Sequence, residues 1–234
     1  MNYKYLILFS GIVSSICWAM KPLHKPVSSQ SGTSNDKYFT IGNNRIIVKV
    51  GNIVEQGSRE HKAAVVNAAN ESLIGSAGVA KAIQDAAGQE LIQYIKSKYP
   101  SLGKSQTWGD VRCKIGTVCV TPAFGLEKNG IKFIIHAIGP DLRNQEQNKN
   151  KESLLRSVYR ESLYAAAERD VRLISFPAIS TGIFGYKVED ATPIAMDEVI
   201  RFLKQNKNAG YEVRFIVTPD NFVSYSSALS KAVK

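Results

Sequence analysis

The sequence of 234 residues predicts an α/β fold in which helices cover both faces of a mostly parallel sheet. Short apolar segments, typical of buried strands, alternate with longer segments whose apolar residues recur at helical spacing. Hydrophobic residues make up 44% of the chain, which is ample for a core. We find no internal repeat, so one domain with extra terminal segments is the simplest organisation.

The first 37 residues precede the predicted domain. Residues 1–20 begin with one lysine, Lys4, followed by an uncharged stretch shorter than the ~20 residues of a spanning helix. Small residues before a cleavage point after Ala19 indicate a secretory signal peptide, and therefore a secreted or periplasmic protein. An uncleaved membrane anchor is the alternative. Residues 21–37 are expected to form a linker and residues 38–234 the folded domain.

The first half of the domain contains two predicted strands and a long helical pattern. The strands are Arg45–Val50 and His61–Asn67. The apolar residues that follow lie four apart, on one face of a helix: Val79, Ile83, Ala87, Leu91 and Ile95. Gly88 interrupts this pattern at a cost of about 1 kcal/mol relative to alanine, which predicts a break between two helices.

In the second half, strands and helices alternate regularly. The predicted strands are Ile115–Thr121, Lys132–Ile138, Leu173–Phe176 and Glu212–Thr218. The predicted helices are Lys151–Arg169, Val188–Gln205 and Asn221–Lys231. Pro100–Gly109 and Pro140–Asn150 are expected to be loops.

Of the three cysteines, Cys17 belongs to the predicted leader. Cys113 and Cys119 are six residues apart along a predicted strand, which would separate them by about 20 Å. A disulfide needs Cα atoms within about 7 Å, so we expect two free, buried thiols. The chain has no CxxC pair and no cluster of cysteine and histidine, and we predict neither a metal site nor a cofactor.

The formal net charge is +10, from 30 lysines and arginines against 20 aspartates and glutamates. This excess favours anionic partners such as phosphates, nucleic acid or an anionic surface. A basic surface that only keeps the protein soluble explains it equally well.

Two segments rich in small residues form the candidate site. In the first, Asn67 and Asn70 end a strand, and the loop Gly75–Gly78 opens into a helix. The second, FPAISTGIFGY at Phe176–Tyr186, also follows a strand. Loops of this kind present backbone N–H groups to an anion, and two of them could face each other across one crevice.

Other nucleotide and hydrolase motifs do not fit. There is no GxxxxGK[ST], and the Gly75–Gly78 loop does not satisfy GxGxxG. Residues 178–182 resemble the GxSxG nucleophile elbow, but that fold needs its acid and histidine after the serine. All three histidines precede Ser180. His136 lies in an apolar strand, and we interpret it as a core histidine rather than a catalytic one.

Together, these motifs resemble the macro domain, a family of ADP-ribose-binding modules. VVNAAN at residues 65–70 matches its most recognisable motif, and LIGSAGVAKAI at 73–83 stands where the family has LxGGGGVxxAI. IIHAIGP at 134–140 resembles VIHxVGP, FPAISTGIFGY resembles FPxISTGxxGY, and GNI at 51–53 resembles GDI. The resemblance covers Arg45 to Ala228. It implies a three-layer α/β/α sandwich with a mixed, mostly parallel sheet.

The resemblance also implies a role for individual residues. Asn52 would recognise adenine, with Ile53 beside the ring. Asn70 would bind the distal ribose and Phe184 would pack on it, and these two are the implied catalytic residues. Backbone N–H groups of both loops would clamp the diphosphate. The implied ADP-ribose-binding set is Asn52, Ile53, Ala69, Asn70, Gly75, Ser76, Ala77, Gly78, Val79, Ser180, Thr181, Gly182, Ile183 and Phe184.

Several positions depart from the family pattern. Asn52 replaces an aspartate, so the adenine contact loses its charge assistance. Ser76 and Ala77 replace glycines where the backbone approaches the ligand. Ala80 replaces the aspartate of MacroD-type hydrolases, and Gly75 stands where viral macro hydrolases carry a histidine.

The function implied by the resemblance is a secreted macro domain that binds ADP-ribose and hydrolyses its adducts. The substrates would be mono-ADP-ribosylated acidic side chains or O-acetyl-ADP-ribose. Water held between the distal ribose and the diphosphate would attack, without a metal. A reader that binds ADP-ribose without cleaving it is one alternative, and a basic domain that weakly binds RNA or poly(ADP-ribose) is another. A monomer is expected.

Overall fold

The computed structural model describes residues 36–232. The predicted leader at 1–20 and most of the linker at 21–37 lie outside this range. The strands are β1 Lys37–Ile41, β2 Asn44–Val50, β3 Ala63–Ala68, β4 Lys104–Ser105, β5 Gly109–Asp110, β6 Val118–Pro122, β7 Ile131–Ala137, β8 Leu173–Phe176 and β9 Glu212–Val217. The helices are α1 Gly78–Ala87, α2 Gln89–Lys98, α3 Gln145–Lys149, α4 Lys151–Ala167, α5 Val188–Gln205 and α6 Pro219–Ala232. None of these helices is long and apolar enough to cross a membrane.

Seven strands form one mixed, mostly parallel sheet in the order β1-β2-β9-β8-β3-β7-β6. The five inner strands run parallel, and β1 and β6 pair antiparallel at the two edges. The predicted mixed, mostly parallel sheet is therefore confirmed. The two antiparallel edge strands pair with the first and last of the parallel set.

Two separate apolar cores lie on the two faces of this sheet. Ala64 and Val66 of β3 belong to the core covered by α4, α5 and α6. Val65, between them, belongs to the core covered by α1 and α2. Successive strand residues point to opposite faces, so one strand contributes to both cores. This arrangement is the predicted three-layer sandwich.

Several short elements lie where the sequence predicted loops. The hairpin β4–β5 lies mostly inside the predicted loop Pro100–Gly109, and α3 lies inside Pro140–Asn150. The Asn144 side chain caps α3 by accepting from the N–H groups of Glu146 and Gln147. Elements this short carry too few apolar residues for a period to be recognised.

The prediction of two free thiols is wrong, because Cys113 and Cys119 form a disulfide. The strand β6 begins at Val118, not at the predicted Ile115, and a turn occupies the intervening residues. Gly116 adopts a φ of +80° in that turn, and the Thr117 N–H donates to the Lys114 carbonyl at 3.2 Å. The turn brings the two Cα atoms to 6.4 Å, within disulfide range.

His136 is a satisfied core histidine, as the sequence indicated. It is fully buried between Asn67 of β3 and Thr121 of β6. The Asn67 amide nitrogen lies 3.1 Å from Nδ1, and Thr121 Oγ1 lies 3.1 Å from Nε2. Because an amide N–H can only donate, the neutral ring carries its proton on Nε2 and donates it to Thr121. Burial lowers the pKa of His136 to about 3.

This burial predicts an acid-sensitive fold. The unfolded chain takes up a proton below the ordinary histidine pKa of 6.5, whereas the folded chain does not until about 3. The free energy of unfolding is therefore highest above pH 6.5 and decreases as the pH is lowered. At pH 5 this one group accounts for a loss of about 2 kcal/mol. Urea unfolding at pH 7.5 and 5.0 measures the loss. His136→Gln keeps a donor and an acceptor but does not titrate, so its loss should be smaller by that amount. Equal losses in both proteins would contradict the assignment.

Candidate functional site

A cleft of about 330 Å³ lies at the edge of the sheet where the inner parallel strands end. Its wall includes Asn70 after β3, Gly139 after β7, Ser180 after β8 and Thr218 after β9. The carboxyl ends of parallel strands are the usual place for a ligand crevice in an open α/β sheet.

One side of the cleft is the amino terminus of α1. Ala77, the N-cap residue, is extended and makes no side-chain capping bond, and the first turn contains no acidic residue. The Lys81 N–H is the donor that reaches back to the Ala77 carbonyl, at 3.2 Å. The N–H groups of Gly78, Val79 and Ala80 therefore lack helical partners, and the helix dipole makes this end attractive to an anion.

Asn70 braces the loop that leads to this helix. Its Oδ1 accepts from the N–H of Ser72 at 2.9 Å and from the Ser72 hydroxyl at 2.7 Å. Its Nδ2 donates to the Ile74 carbonyl at 3.0 Å. The second amide hydrogen is not needed for these bonds and is available to a ligand.

Gly75 allows the loop to pack directly on α1. A Cβ at this position would lie 2.5 Å from the carbonyl carbon of Ala80 and 2.7 Å from its Cβ. The Gly75 N–H donates to Gln84 Oε1 at 3.0 Å. While that bond holds, this N–H is not a donor to a ligand, and the open donors of the loop are those at the start of the helix.

The opposite side of the cleft is the turn after β8. Its internal bonds use the N–H groups of Gly185 and Tyr186, which donate to Gly182 at 2.9 Å and to Ser180 at 3.0 Å. Within residues 36–232, the N–H groups of Gly182, Ile183 and Phe184 make no backbone hydrogen bond. This turn therefore adds a second set of open donors, opposite the first.

Ser180 lies at the floor of the cleft with a φ of +65°. It is 6% exposed, and its hydroxyl has no partner among the described residues. Gly139 makes room for it, because a Cβ there would collide with the Ser180 Oγ. A buried hydroxyl is normally hydrogen-bonded, so the Ser180 hydroxyl is placed to donate to an acceptor atom of a ligand bound in the cleft.

The structure brings twelve of the fourteen predicted ligand-binding residues together in the wall of this one cleft. Asn52 and Ile53 are not among them. Asn52 caps a short 3₁₀ turn, accepting from Val54 at 3.3 Å and donating to Glu55 at 3.1 Å, and Ile53 is buried. The role of these two residues at adenine stays a prediction.

Trp108 also lines the cleft, although it was not among the predicted site residues. It is carried by the β4–β5 hairpin, and its ring centroid lies 5.9 Å from that of Phe184. The Arg143 guanidinium lies 5.7 Å from the Trp108 centroid and 5.9 Å from that of Phe184. An aromatic residue in a polar, glycine-flanked loop was the one signal available.

Among the described residues, none that line the cleft is ionisable. Residues 36–232 also contain no group of three or more side chains suited to hold a metal ion. The polar groups of the lining residues are therefore backbone groups, hydroxyls, the amides of Asn70 and Asn221, and the indole N–H of Trp108. Such a site neutralises an anion by oriented dipoles rather than by a cation.

Comparisons with known proteins give a consistent result. The family model of the Macro domain matches residues 66–195. The ADP-ribose glycohydrolase MACROD2 of Xenopus laevis is 38% identical over 154 residues, which are 66% of this chain and 33% of that protein. An O-acetyl-ADP-ribose deacetylase of Enterobacter cloacae is 37% identical over 143 residues, which are 61% of this chain and 72% of that protein.

A solved structure agrees with these sequence matches. The macrodomain of Oceanobacillus iheyensis, determined with ADP, superposes with a TM-score of 0.71 at 28% identity. The match covers 86% of this chain and 98% of that one.

Gly75 and Gly182, one from each cleft loop, should respond differently to an added methyl group. Gly75→Ala forces a Cβ against the Ala80 backbone and should lower the free energy of unfolding by about 1–3 kcal/mol. Gly182→Ala is the matched control, because nothing lies within 4 Å of the added atom. Its effect should stay within about 0.5 kcal/mol. Urea unfolding measures both, and equal effects would contradict the described packing of the loop on α1.

Proposed function

The chain belongs to the macro domain family, and from this premise we propose that it binds ADP-ribose in the cleft and hydrolyses ADP-ribose adducts. One observation carries the proposal: open N–H donors at the start of α1 face a second set in the turn after β8. A diphosphate is an anion long enough to accept from both sets. The names of the two hydrolase relatives, and the ADP in the solved macrodomain, support this choice of ligand.

The distal ribose would lie between Asn70 and Phe184. The remaining amide hydrogen of Asn70 can donate to a ribose hydroxyl, while the Phe184 ring packs on the sugar. The Leu142 N–H donates to the Phe184 carbonyl at 2.8 Å, which fixes the backbone that carries this ring. Positioning of this kind can contribute several kcal/mol to a reaction barrier, on the order of 7 or more in the best cases.

Hydrolysis would proceed by attack of water on the anomeric carbon or on the ester carbonyl. In the first case the bond from the anomeric carbon to the acceptor oxygen breaks, and the carboxylate leaves with the electron pair. In the second case the bond from the acyl carbon to the ribose oxygen breaks, and that oxygen leaves as a ribose hydroxyl after taking up a proton. Because no described residue in the cleft wall is ionisable, a diphosphate oxygen of the substrate would take the proton from water. The proton then passes to solvent.

A different observation, the lack of an ionisable group in the described cleft wall, favours a second candidate, a reader that binds ADP-ribose without cleaving it. A cleft wall with Ala80 and Gly75, and without an ionisable group among the described residues, offers little help to a water nucleophile. Binding needs only the donors and the apolar walls, which both candidates share.

We also propose that the protein is exported to an oxidising compartment. The predicted signal peptide at residues 1–20 motivates this. The Cys113–Cys119 disulfide supports it, because such bonds persist in secreted and periplasmic proteins and are rare in a reducing cytosol.

The proposal predicts that the natural protein binds ADP-ribose and also releases it from a peptide mono-ADP-ribosylated on glutamate. Calorimetry and release of free ADP-ribose measure the two properties on one sample. Ala80→Asp adds a carboxylate beside the cleft and should leave release similar or raise it, with Ala80→Asn as the uncharged control. A natural protein that binds but releases nothing, while Ala80→Asp releases ADP-ribose, would be a reader. A natural protein that does not bind would contradict the proposal altogether.

A further inference from the structure

We propose that Trp108 is a specificity-determining residue that recognises the polypeptide flanking an ADP-ribosylated side chain. This inference rests on the proposed function, and it favours a modified protein over a small ester as the substrate. It follows from the position of Trp108 in the cleft, the rigidity of its hairpin and the arginine beside it.

The hairpin holds Trp108 in place before any ligand arrives. The Ser105 hydroxyl accepts from the N–H groups of Thr107 and Trp108, each at 3.3 Å. At the base of the hairpin, Arg112 donates to Asp110 at 2.8 Å and to the Tyr99 carbonyl at 2.7 Å. A side chain ordered in advance loses little entropy on binding, which increases what its contact contributes to affinity.

Trp108 lies beside the predicted position of the scissile bond. It lines the cleft next to Phe184, and the two rings are tilted by 48° with centroids 5.9 Å apart. If Phe184 packs on the distal ribose, the neighbouring indole lies where the acceptor joins that ribose. Ile183, which also lines the cleft, is 61% exposed and extends the apolar surface outward.

Trp108, Phe184 and Ile183 form the rim of the cleft, and Arg143 adds a polar group to this rim. Its Nε and Nη2 donate to the two carboxylate oxygens of Asp141 at 2.8 and 2.5 Å, which fixes the guanidinium against both rings. Nη1 is not needed for this pair, and the side chain is half exposed. A guanidinium held this way can donate to a backbone carbonyl or a carboxylate of a bound segment.

Tryptophan and arginine are both enriched at the energetic centres of protein interfaces. An acetyl ester has too few atoms to reach beyond the ribose and cover an indole. A polypeptide attached through a glutamate continues past the ribose and can pack a neighbouring side chain on the ring. The rim therefore favours ADP-ribose that is attached to a polypeptide over ADP-ribose that carries only an acetyl group.

The test compares two ligands by calorimetry: free ADP-ribose, and a peptide carrying ADP-ribose through a non-hydrolysable N-glycosidic bond that keeps the ribose ring closed. Trp108→Ala should weaken binding of the peptide conjugate about tenfold more than it weakens binding of free ADP-ribose. Trp108→Phe should keep most of the conjugate affinity, because an aromatic ring remains. Tyr38→Ala is the control, since this exposed aromatic residue lies on the edge strand β1 and not in the cleft wall.

Three results would overturn the inference. Equal weakening of both ligands by Trp108→Ala would make Trp108 a wall of the ribose pocket instead. Conjugate binding unchanged by Trp108→Ala, with free ADP-ribose still bound, would remove its role in recognition and leave the proposed function intact. A natural protein that binds neither ligand would overturn the proposed function as well, so the two failures are distinguishable.

Discussion

The parallel pairing of β3 with β8 is the constraint on which the rest of the site depends. Val65 and Ser175 are the last pair of this parallel register, so both chains leave the sheet at the same edge. The loop that starts α1 and the turn at Ser180 must then face each other. The apolar cores on both faces hold this register, because a slip by one residue would exchange the faces that Ala64 and Val65 present.

Given that register, the site binds charge with backbone groups. The chain carries a formal net charge of +10, yet no lysine or arginine among the described residues lines the cleft. The donors are N–H groups that the fold leaves open at the start of a helix and in a tight turn. Small residues make this arrangement possible. Gly75 leaves space for the backbone of Ala80, and Gly139 leaves space for the Ser180 hydroxyl. The basic surface can attract an anion from a distance, whereas the cleft supplies the specific contacts.

Much of this arrangement could be predicted from local patterns. The strand Leu173–Phe176 and the helix Val188–Gln205 have the predicted bounds, and Gly88 does separate two helices, with a φ of +88°. What the sequence did not predict depends on geometry over short turns or long separations. The Cys113–Cys119 bond required a turn at Gly116 inside an expected strand. Trp108 reaches the cleft through contacts with Phe184 and Arg143, which are distant in sequence and carry no periodic signal.

Amide chemical shifts test most directly whether the two sets of open N–H donors hold a diphosphate. In a titration of the ¹⁵N-labelled protein with ADP-ribose, we expect the largest shifts at the open donors, which are Gly78, Val79, Ala80, Gly182, Ile183 and Phe184. AMP, which has one phosphate, should bind far more weakly and perturb only part of this set. Equal affinity for AMP, or shifts centred on surface lysines and arginines away from the cleft, would contradict the account.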